Sequence, residues 1–450
     1  MKPAHFTAPA IAAAVFAVFA TLYFWAPSAY HFVLTWWGIA PFQSPFLDTG
    51  AIIAAIECVR HGVDVYVANP CDMLGRPHVY SPVWLAASVL PVTGAWTMPV
   101  GLALDLAFLL SLAAIPFPVE RRDRWMLAAA VLSTTSVYAV ERANNDLAIF
   151  VLLVSAAVLL AWSFKPGSSA WRRCAYPLVV LAALLKFYPA AALVITLRER
   201  GRDFLIITAL SLAGFFIAVA LAGPDLARAI AIIPTGSYFT DAFGARNLPY
   251  GIAELLYRPS WQPTIHLLPL LLFAVLGLRA LWIAAALARR PALAEALAEM
   301  PERLKLLLII GAAIVTGCFF TAHNVGYRGI FLIMILPGLL AMARRAEGDD
   351  SGRLCSNTAK LVLFVMWSEA LRHAIYAVRP FDLPGWHTFE AAFWIARELI
   401  WWRIVAILGG VLLRFVLASA VWRGLSLGKG VSGTPAATPD MSPAEQPLSS

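Results

Sequence analysis

Residues 304–342 read LKLLLIIGAAIVTGCFFTAHNVGYRGIFLIMILPGLLAM, which is two apolar runs joined by a short polar turn. A helix needs about 20 apolar residues to cross the hydrocarbon core of a bilayer. The run 304–321 is close to that length, and the run 329–342 follows after the turn from His323 to Arg328. The stretch therefore predicts two membrane helices with a polar turn at one face.

Similar apolar runs occupy most of the chain before and after this pair. A chain that crosses a bilayer many times shows this alternation of apolar runs and short polar loops. Together the runs predict an all-α polytopic membrane protein with a bundle of about 10 to 13 transmembrane helices. They cover residues 7–25, 81–117, 125–140, 147–162, 177–197, 204–222, 266–287, 304–321, 329–342, 360–378 and 400–422.

Two stretches do not fix the number of crossings. Residues 175–197 would begin and end on the same side, and the break Lys186-Phe-Tyr-Pro189 favours two half-helices or a re-entrant hairpin there. Broken backbone at membrane depth must be surrounded by protein or line a water-filled cavity. Residues 81–117 are interrupted at Pro91 and Gly94, and either one or two crossings fit them.

The composition and the placement of charge agree with a membrane protein. Of the 450 residues, 61% are hydrophobic and 13% are charged, whereas a soluble domain carries about 25% charged residues. The net charge of +8 comes from short basic groups between the apolar runs, which is typical of cytoplasmic loops. A nucleic-acid-binding protein gathers such charge on one face, so no nucleic acid partner is expected. The groups are Arg121, Arg122 and Arg124; Arg172 and Arg173; Arg198, Arg200 and Arg202; Arg289 and Arg290; and Arg344 and Arg345.

The segments between the runs are too short to form an independent globular domain. We expect one membrane-embedded unit, residues 1–422, with a long first outer loop at 27–80 and a second large outer loop at 223–262. The segment 423–450 is rich in Gly, Ser, Thr and Pro and lacks apolar periodicity. This composition predicts a disordered cytoplasmic tail.

The first outer loop carries the most chemical information. Asp48 precedes residues 49–60, in which isoleucines recur at helical spacing. That pattern predicts an amphipathic helix that lies in the membrane interface. Asp48 would then stand at the helix N-cap, where an aspartate is common without any catalytic role. Cys58 and Cys71 lie in the same loop and either form a disulfide or remain two free thiols.

Several short motifs follow one another in a fixed order along the chain. In that order they resemble the GT-C glycosyltransferases and, more closely, the glycosyltransferase 87 family (DUF2029) of bacterial polyprenol-phosphate-mannose-dependent α-mannosyltransferases. The likeness covers residues 7 to about 422. The motifs are Asp48 before a helix, Gly62-x-Asp64-x-Tyr66, Tyr80-x-Pro82, Glu141-Arg-Ala-Asn-Asn-Asp146, Lys186-Phe-Tyr-Pro189 and His323-Asn-Val-Gly-Tyr-Arg328.

The resemblance implies a GT-C-like membrane glycosyltransferase of the bacterial inner membrane, with its site facing the periplasm. It would move a sugar, mannose in the family, from a polyprenyl-phosphate donor to a glycolipid, glycan or protein acceptor, with inversion. Asp48 would be the general base for the acceptor hydroxyl, and His323 would assist or orient it. No cofactor and no metal ion are expected, since no DxD pattern follows Asp48.

The donor phosphate and the sugar need further side chains. Arginine forks and lysine point charges suit phosphate oxygens, and a lysine inside an apolar run usually faces a cavity. The residues expected at the donor phosphate are Arg328, Arg246, Lys186 and Arg142. Those expected at the sugar or the acceptor are Asp64, Tyr66, Tyr80, Tyr238, Asn247, Asn324 and Tyr327.

Ordinary structural explanations stand beside these roles. His323 could bond a loop carbonyl, Lys186 could snorkel to the interface, and Arg142 could pair with Glu141 or Asp146 at a helix end. The chain also departs from the family where Gly-Gln-x-Asn often opens the middle span, because residues 141–144 read Glu-Arg-Ala-Asn; this change bears on the sugar more than on glycosyl transfer. A transporter or flippase of lipid-linked sugars is the alternative, but it does not explain the long first outer loop with its single early aspartate.

Overall fold

The computed structural model describes residues 7–42, 44–116, 118, 120–162, 169–234, 236–256, 267–321, 323–377 and 386–427, and most of them are helical. The α-helices, in chain order, are α1 (Thr7–Trp25), α2 (Pro27–Trp36), α3 (Leu47–Arg60), α4 (Thr97–Leu112), α5 (Arg121–Val131), α6 (Thr134–Glu141), α7 (Asp146–Trp162), α8 (Ser169–Lys186), α9 (Gly201–Leu221), α10 (Gly223–Ala231), α11 (Asn247–Leu256), α12 (Leu267–Ala288), α13 (Pro291–Ala298), α14 (Glu302–Thr321), α15 (Leu332–Arg345), α16 (Asp350–Ala377), α17 (Trp386–Ala418) and α18 (Ala420–Leu427).

Short 3₁₀ helices and one two-residue strand pair complete the described part of the chain. The 3₁₀ helices are Pro82–Val89, Gly94–Trp96, Tyr188–Arg198 and Gly326–Phe331. Strand β1 (Ala242–Phe243) pairs antiparallel with β2 (Asn324–Val325), with Ala242 opposite Val325. The pair ties the second outer loop to the turn between α14 and α15, which sequence periodicity alone did not predict.

Six helical stretches in the described residues are long and apolar enough to cross a membrane. They are Gly94–Leu112, Gly201–Leu221, Leu267–Ala288, Glu302–Thr321, Gly326–Arg345 and Thr388–Ala418. Only 6% of the apolar stretch of α9 is buried within the protein, against 72% of that of α14. A helix that is apolar on all sides and buried belongs at the centre of a bundle, so α14 and α15 form the core and α9 faces the surroundings.

Ion pairs show which helix ends lie together. Arg344 at the end of α15 contacts Asp123 in α5. Arg172 in α8 lies 3.1 Å from Glu199 and 2.9 Å from Asp203 of α9. Arg198 lies 3.5 Å from Glu302 at the start of α14. These pairs, together with the basic groups beside them, define one end of the bundle, called here the basic end; the opposite end holds Asp48 and is called the Asp48 end.

The broken run 175–197 forms a hairpin, one of the two alternatives that the break at Lys186 left open. Helix α8 reaches the Asp48 end at Lys186, Phe187 adopts φ of 25°, and the 3₁₀ helix Tyr188–Arg198 returns to the basic end. The other ambiguous run, 81–117, contributes one candidate span, because Pro82–Val89 is a separate 3₁₀ helix that packs on α3.

Helix α3 differs from the prediction in two ways. It begins at Leu47, so Asp48 lies in its first turn, and Phe46, with φ of 62°, occupies the N-cap position without a side-chain cap. Its first three turns are also buried on nearly every side, from Leu47 to Cys58, rather than exposing a polar face. The reason is tertiary packing, since a Cβ on Gly101 of α4 would meet the Phe46 ring at 2.4 Å. The glycine allows this close approach.

The structure covers most of the second outer loop, predicted at 223–262, but only the beginning of the tail predicted from residue 423. The second outer loop contains α10, β1 and α11, while its last residues, 257–262, lie outside the described residues. The tail expected from residue 423 begins as helix, because α18 continues to Leu427. Residues 428–450, on which the prediction of disorder falls, lie outside the described residues.

A disulfide joins Cys58 at the end of α3 to Cys71, with the two Cα atoms 5.9 Å apart. It resolves the choice that the sequence left open and closes the segment that follows α3 against that helix. Cys58 is fully buried, and the backbone N–H of Cys71 points at its sulfur at 3.3 Å. Closing a loop of this length stabilises a fold by about 3 kcal/mol in the chain-entropy model.

The disulfide predicts a simple thiol count. Purified protein unfolded in denaturant without reductant should react with three maleimides, at Cys174, Cys318 and Cys355. After reduction all five cysteines should react. Mass spectrometry of the intact protein measures both numbers, and the Cys58→Ser/Cys71→Ser variant should give three in each case. Five labels without reductant would show that the pair is not bonded.

Candidate active site

Asp48 is anchored by the turn that follows α6. Its backbone N–H donates to the Arg142 carbonyl at 3.2 Å, and the N–H of Phe46 donates to the Glu141 carbonyl at 2.8 Å. The Thr49 hydroxyl donates to the Ala143 carbonyl at 2.5 Å. The carbonyls of residues 141–143 therefore accept hydrogen bonds from the N–H and O–H groups at the start of α3. The Asp48 side chain is thus not needed to cap its own helix.

The Asp48 carboxylate has one oxygen engaged and one oxygen available. Its Oδ2 accepts a hydrogen bond of 2.5 Å from Asn144 Nδ2. Its Oδ1 lies 3.9 Å from Arg76 Nη1, and the side chain is 12% exposed. A carboxylate oriented through one oxygen, with the other facing a partly open site, has the geometry that a general base requires.

Asn144 connects Asp48 to a second carboxylate. Its Oδ1 accepts the backbone N–H of Asp146 at 2.9 Å and lies 3.3 Å from Lys186 Nζ. The Asn144 side chain is fully buried. Because one amide touches both Asp48 and Lys186, the position of the base is coupled to the position of the lysine.

Asp146 is the centre of a buried cluster. Its Oδ1 accepts 2.6 Å hydrogen bonds from Lys186 Nζ and from the Tyr188 hydroxyl. Its Oδ2 lies 3.5 Å from Arg328 Nε, and the Asp146 side chain has no exposed surface. Lys186 also donates to Asn145 Oδ1 at 2.6 Å. The break after α8 thus serves to place Lys186 and Tyr188 on the same carboxylate.

Two acids at this site, Asp146 and Asp72, lie beneath the arginines that they bind. The exposed fractions of the Asp146 and Asp72 side chains are 0% and 2%, whereas those of Arg328 and Arg76 are 20% and 33%. Three carboxylates (Asp48 included) balance three cations (Lys186 included), yet the guanidinium groups face outward. An anion that approaches the Asp48 end therefore meets arginines first, which favours phosphate binding there.

Strained backbone surrounds the same cluster. Among the described residues, the non-glycine residues with positive φ are Phe46 (62°), Ala143 (40°) and Phe187 (25°). Each is within four residues of Asp48, Asn144 or Lys186. Such conformations cost about 1–3 kcal/mol each and are kept where the surroundings demand a particular geometry, often at functional sites.

Tyrosines line the site beside the lysine. The rings of Tyr80 and Tyr327 are each centred 5.9 Å from Lys186 Nζ, and the Arg328 guanidinium lies 5.4 Å from the centre of the Tyr188 ring. Neither the Tyr80 nor the Tyr327 hydroxyl makes a hydrogen bond within the part of the chain that the structure describes, so both are available to a ligand. The structure therefore brings Asp48, Lys186, Arg328, Tyr80 and Tyr327 together.

Arg76 belongs to this group, although the sequence did not single it out for phosphate. Its Nε and Nη2 donate to the two Asp72 oxygens at 2.9 Å, and Nη2 also donates to the Leu47 carbonyl at 3.0 Å. Burial acts to raise the pKa of Asp72, but hydrogen bonds from the Arg76 side chain and backbone outweigh it and lower that pKa. Asp72 thus stays ionised and fixes the arginine beside Asp48.

His323 takes a place different from the one expected. Its Nδ1 lies 2.9 Å from Asn247 Oδ1, and its ring meets that of Tyr238 edge to face at 5.9 Å. Burial, followed by the nearby Arg328 charge, lowers its pKa. No described contact joins His323 to Asp48, and Asn144 holds the carboxylate instead. His323, Asn247 and Tyr238 therefore form a neighbouring group rather than part of the Asp48 cluster.

Four other predicted residues lie outside the cluster. Arg142 is buried, pairs with Glu141 at 2.8 Å and covers the Phe42 ring, as in its structural explanation. Arg246 is exposed. Asp64 pairs with Arg228, which also covers Tyr66 at 4.9 Å.

The remaining predicted residue, Asn324, holds Arg328. Its Oδ1 accepts from Arg328 Nη1 at 2.6 Å, and its Nδ2 donates to the Cys318 carbonyl at 2.7 Å. Asn324 therefore positions a cation of the cluster rather than facing a sugar. Asn144 and Asp146 belong to the motif at residues 141–146 that the sequence analysis identified. The motif itself does not indicate which of its polar residues faces Asp48.

Comparison of the chain with protein-family models, with curated proteins and with solved structures finds no match. Within the described residues, no group of three or more His, Cys, Asp or Glu side chains is arranged to hold a metal ion.

A buried histidine beside the site predicts a pH dependence of stability. His78 is 2% exposed, and burial lowers its pKa from 6.5 to about 4. Between these values the unfolded chain binds a proton that the folded protein does not, so stability falls as the pH drops through this window. The full shift corresponds to about 3 kcal/mol.

The ring of His78 lies between those of Tyr66 and Tyr80, so His78→Phe keeps an aromatic ring and removes the proton site. The unfolding temperature should fall less between pH 7 and pH 4.5 in His78→Phe than in the natural protein. The exposed His61 provides the control, because His61→Phe should show the same fall in unfolding temperature between the two pH values as the natural protein. An unaltered pH dependence in His78→Phe would contradict the assignment.

Proposed function

We propose that the protein is a membrane glycosyltransferase that moves a sugar from a polyprenyl-phosphate donor to a lipid, glycan or protein acceptor, with Asp48 as general base. The observation that carries the proposal is the Asp48 carboxylate, which has one oxygen bonded to Asn144 and the other available, beside arginines that face outward. A base and a set of phosphate-binding cations side by side are what such a transfer needs. The resemblance of the motifs to the glycosyltransferase 87 family supports mannose as the sugar and a GT-C-like bundle of about 10 to 13 spans.

The proposed reaction is a single displacement. The Asp48 carboxylate takes the proton of the acceptor hydroxyl, whose oxygen attacks the anomeric carbon of the sugar. The bond between that carbon and the phosphate oxygen breaks, and the polyprenyl phosphate leaves with the electron pair. Attack opposite the phosphate inverts the anomeric centre, so a β-linked donor gives an α-linked product.

Arg328, Lys186 and Arg76 are the proposed partners of the phosphate. Arg328 and Arg76 are the more exposed cations of the cluster, and Lys186 lies beneath them between Tyr80 and Tyr327. Cations fixed before the substrate arrives stabilise the charge that develops on the leaving phosphate without further rearrangement. Tyr80 and Tyr327 are proposed to contact the sugar, and the group of His323, Asn247 and Tyr238 to contact the acceptor.

The alternative of a transporter or flippase finds less support. A charged head group would have to pass from the Asp48 end to the basic end through the centre of the bundle. That centre is filled by fully buried apolar side chains of α7, α14 and α15, among them Leu153, Ile310 and Ile335. A packed apolar layer suits a scaffold around a one-sided site better than it suits a translocation path. The proposed location is the bacterial inner membrane, with the Asp48 end facing the periplasm.

Asp48→Asn tests the proposal because it keeps the shape and the hydrogen-bond acceptor but removes the base. Purified protein in detergent is incubated with polyprenyl-phosphate [³H]mannose and membrane lipids, and labelled product is separated from the donor. Turnover should fall by at least about 100-fold in Asp48→Asn, which is the range for a lost general base.

The control is Asp225→Asn, which removes a half-exposed carboxylate of α10 whose ion pair within the described residues is with Arg228. This variant should keep the natural rate, and both variants should elute from a sizing column like the natural protein. Undiminished turnover in Asp48→Asn would rule out Asp48 as the base, and the absence of any labelled product with the natural protein would count against the proposed donor.

A further inference from the structure

A cavity of about 710 Å³ opens at the basic end, far from Asp48 along the bundle axis. Its walls come from α8, the 3₁₀ helix Tyr188–Arg198, α13, α14 and α17. Three acids line it, Glu199, Asp203 and Glu302. Six cations line it as well, namely Arg172, Arg198, Arg200, Lys305, Arg414 and Arg423. The excess of cations makes the cavity a site for an anion.

Two of these cations have no partner within the part of the chain that the structure describes. Arg414 lies near the end of the apolar helix α17 and is half-buried, and Arg200 is exposed at the mouth of the cavity. Neither makes a described ion pair or hydrogen bond. An arginine on a membrane helix is costly unless it meets an anion or water, and Arg414, which lines the cavity without a described partner, is free to bind an anion from outside the protein.

An apolar groove adjoins the cavity. It has a volume of about 610 Å³, runs between α8 and α9, and shares Arg172 and Asp203 with the cavity. Because α9 is almost unburied, the groove opens to the surroundings of the bundle rather than to its core. The apolar side chains that line it are Val180, Leu181, Leu184, Ile206, Ile207 and Leu210.

We propose that the cavity and the groove together bind one anionic phospholipid, with its phosphate at Arg200 and Arg414 and an acyl chain in the groove. A guanidinium fork fits phosphate oxygens through two hydrogen bonds. A free phosphate ion would use the cavity alone, whereas the adjoining groove gives a lipid additional apolar contact. The basic groups at this end are placed where an anionic leaflet attracts them. The site is separate from the Asp48 cluster and does not depend on the proposed transfer reaction.

Native mass spectrometry of the purified protein in detergent, titrated with phosphatidylglycerol or phosphatidylethanolamine, tests the proposal. The natural protein should bind the first phosphatidylglycerol at least tenfold more tightly than phosphatidylethanolamine. Arg200→Gln/Arg414→Gln should lose that preference, and Arg200→Lys/Arg414→Lys should recover part of it. Arg345→Gln, which changes an exposed arginine of the same end outside the cavity, should keep the preference. Equal binding of phosphatidylglycerol by the natural protein and the double glutamine variant would overturn the proposal.

Two further arms separate the lipid from free phosphate. Ile207→Trp fills the groove without touching the cations and should weaken phosphatidylglycerol binding at least fivefold. Inorganic phosphate at 10 mM should leave phosphatidylglycerol binding unchanged. If the tryptophan has no effect, or if inorganic phosphate displaces the lipid, the shared site for head group and acyl chain is wrong. Size-exclusion elution and the unfolding temperature of each variant confirm that the fold is kept.

Discussion

The buried carboxylate of Asp146 is the interaction on which the Asp48 end depends. It receives Lys186 from the end of α8, Tyr188 from the returning 3₁₀ helix and Arg328 from the turn after α14. Two separate parts of the chain, the hairpin at residues 186–188 and the turn that holds Arg328, thus meet on one side chain that has no exposed surface. Removing a single partner from such a buried pair costs about 3–5 kcal/mol, because the remaining charge stays buried without compensation. The helices around it serve mainly to bring these partners together.

The same constraint fixes the candidate base. Asn144 bonds both Asp48 and the Asp146 backbone, so the turn between α6 and α7 transmits the position of the cation cluster to the carboxylate. The strained residues Phe46, Ala143 and Phe187 lie on the segments that carry these groups. Strained backbone at three such points is typical of a functional site, where a particular geometry is kept although it lowers the stability of the fold. The apolar packing of α14 and α15 offsets that cost elsewhere in the bundle.

Apolar runs and motif breaks were enough to predict a mostly helical chain with membrane-spanning helices and a chain reversal at Lys186. The helical spacing of apolar residues shows which face of a helix is apolar, but it does not show what covers that face. Helix α3 was therefore expected at the membrane interface, whereas it is buried under α4 and Pro82–Val89. The partners of Asp48 and of His323 lie about 76 to 96 residues away in the chain. Contacts of that range are decided by tertiary packing, which explains why Asn144 was not assigned and why His323 was placed too close to Asp48.

Equilibrium binding of a polyprenyl phosphate is the most direct test of the claim that the Asp146 cluster presents cations to a lipid phosphate. Thermophoresis in detergent would compare polyprenyl phosphate with uncharged polyprenol for the natural protein and for Asp146→Asn/Lys186→Met/Arg328→Met, which removes both cations together with the carboxylate that they neutralise. The natural protein should prefer the phosphate at least tenfold, or about 1.4 kcal/mol, and the triple variant should lose that preference while Asp48→Asn retains it. A triple variant that folds and still prefers the phosphate by the same factor would contradict the account.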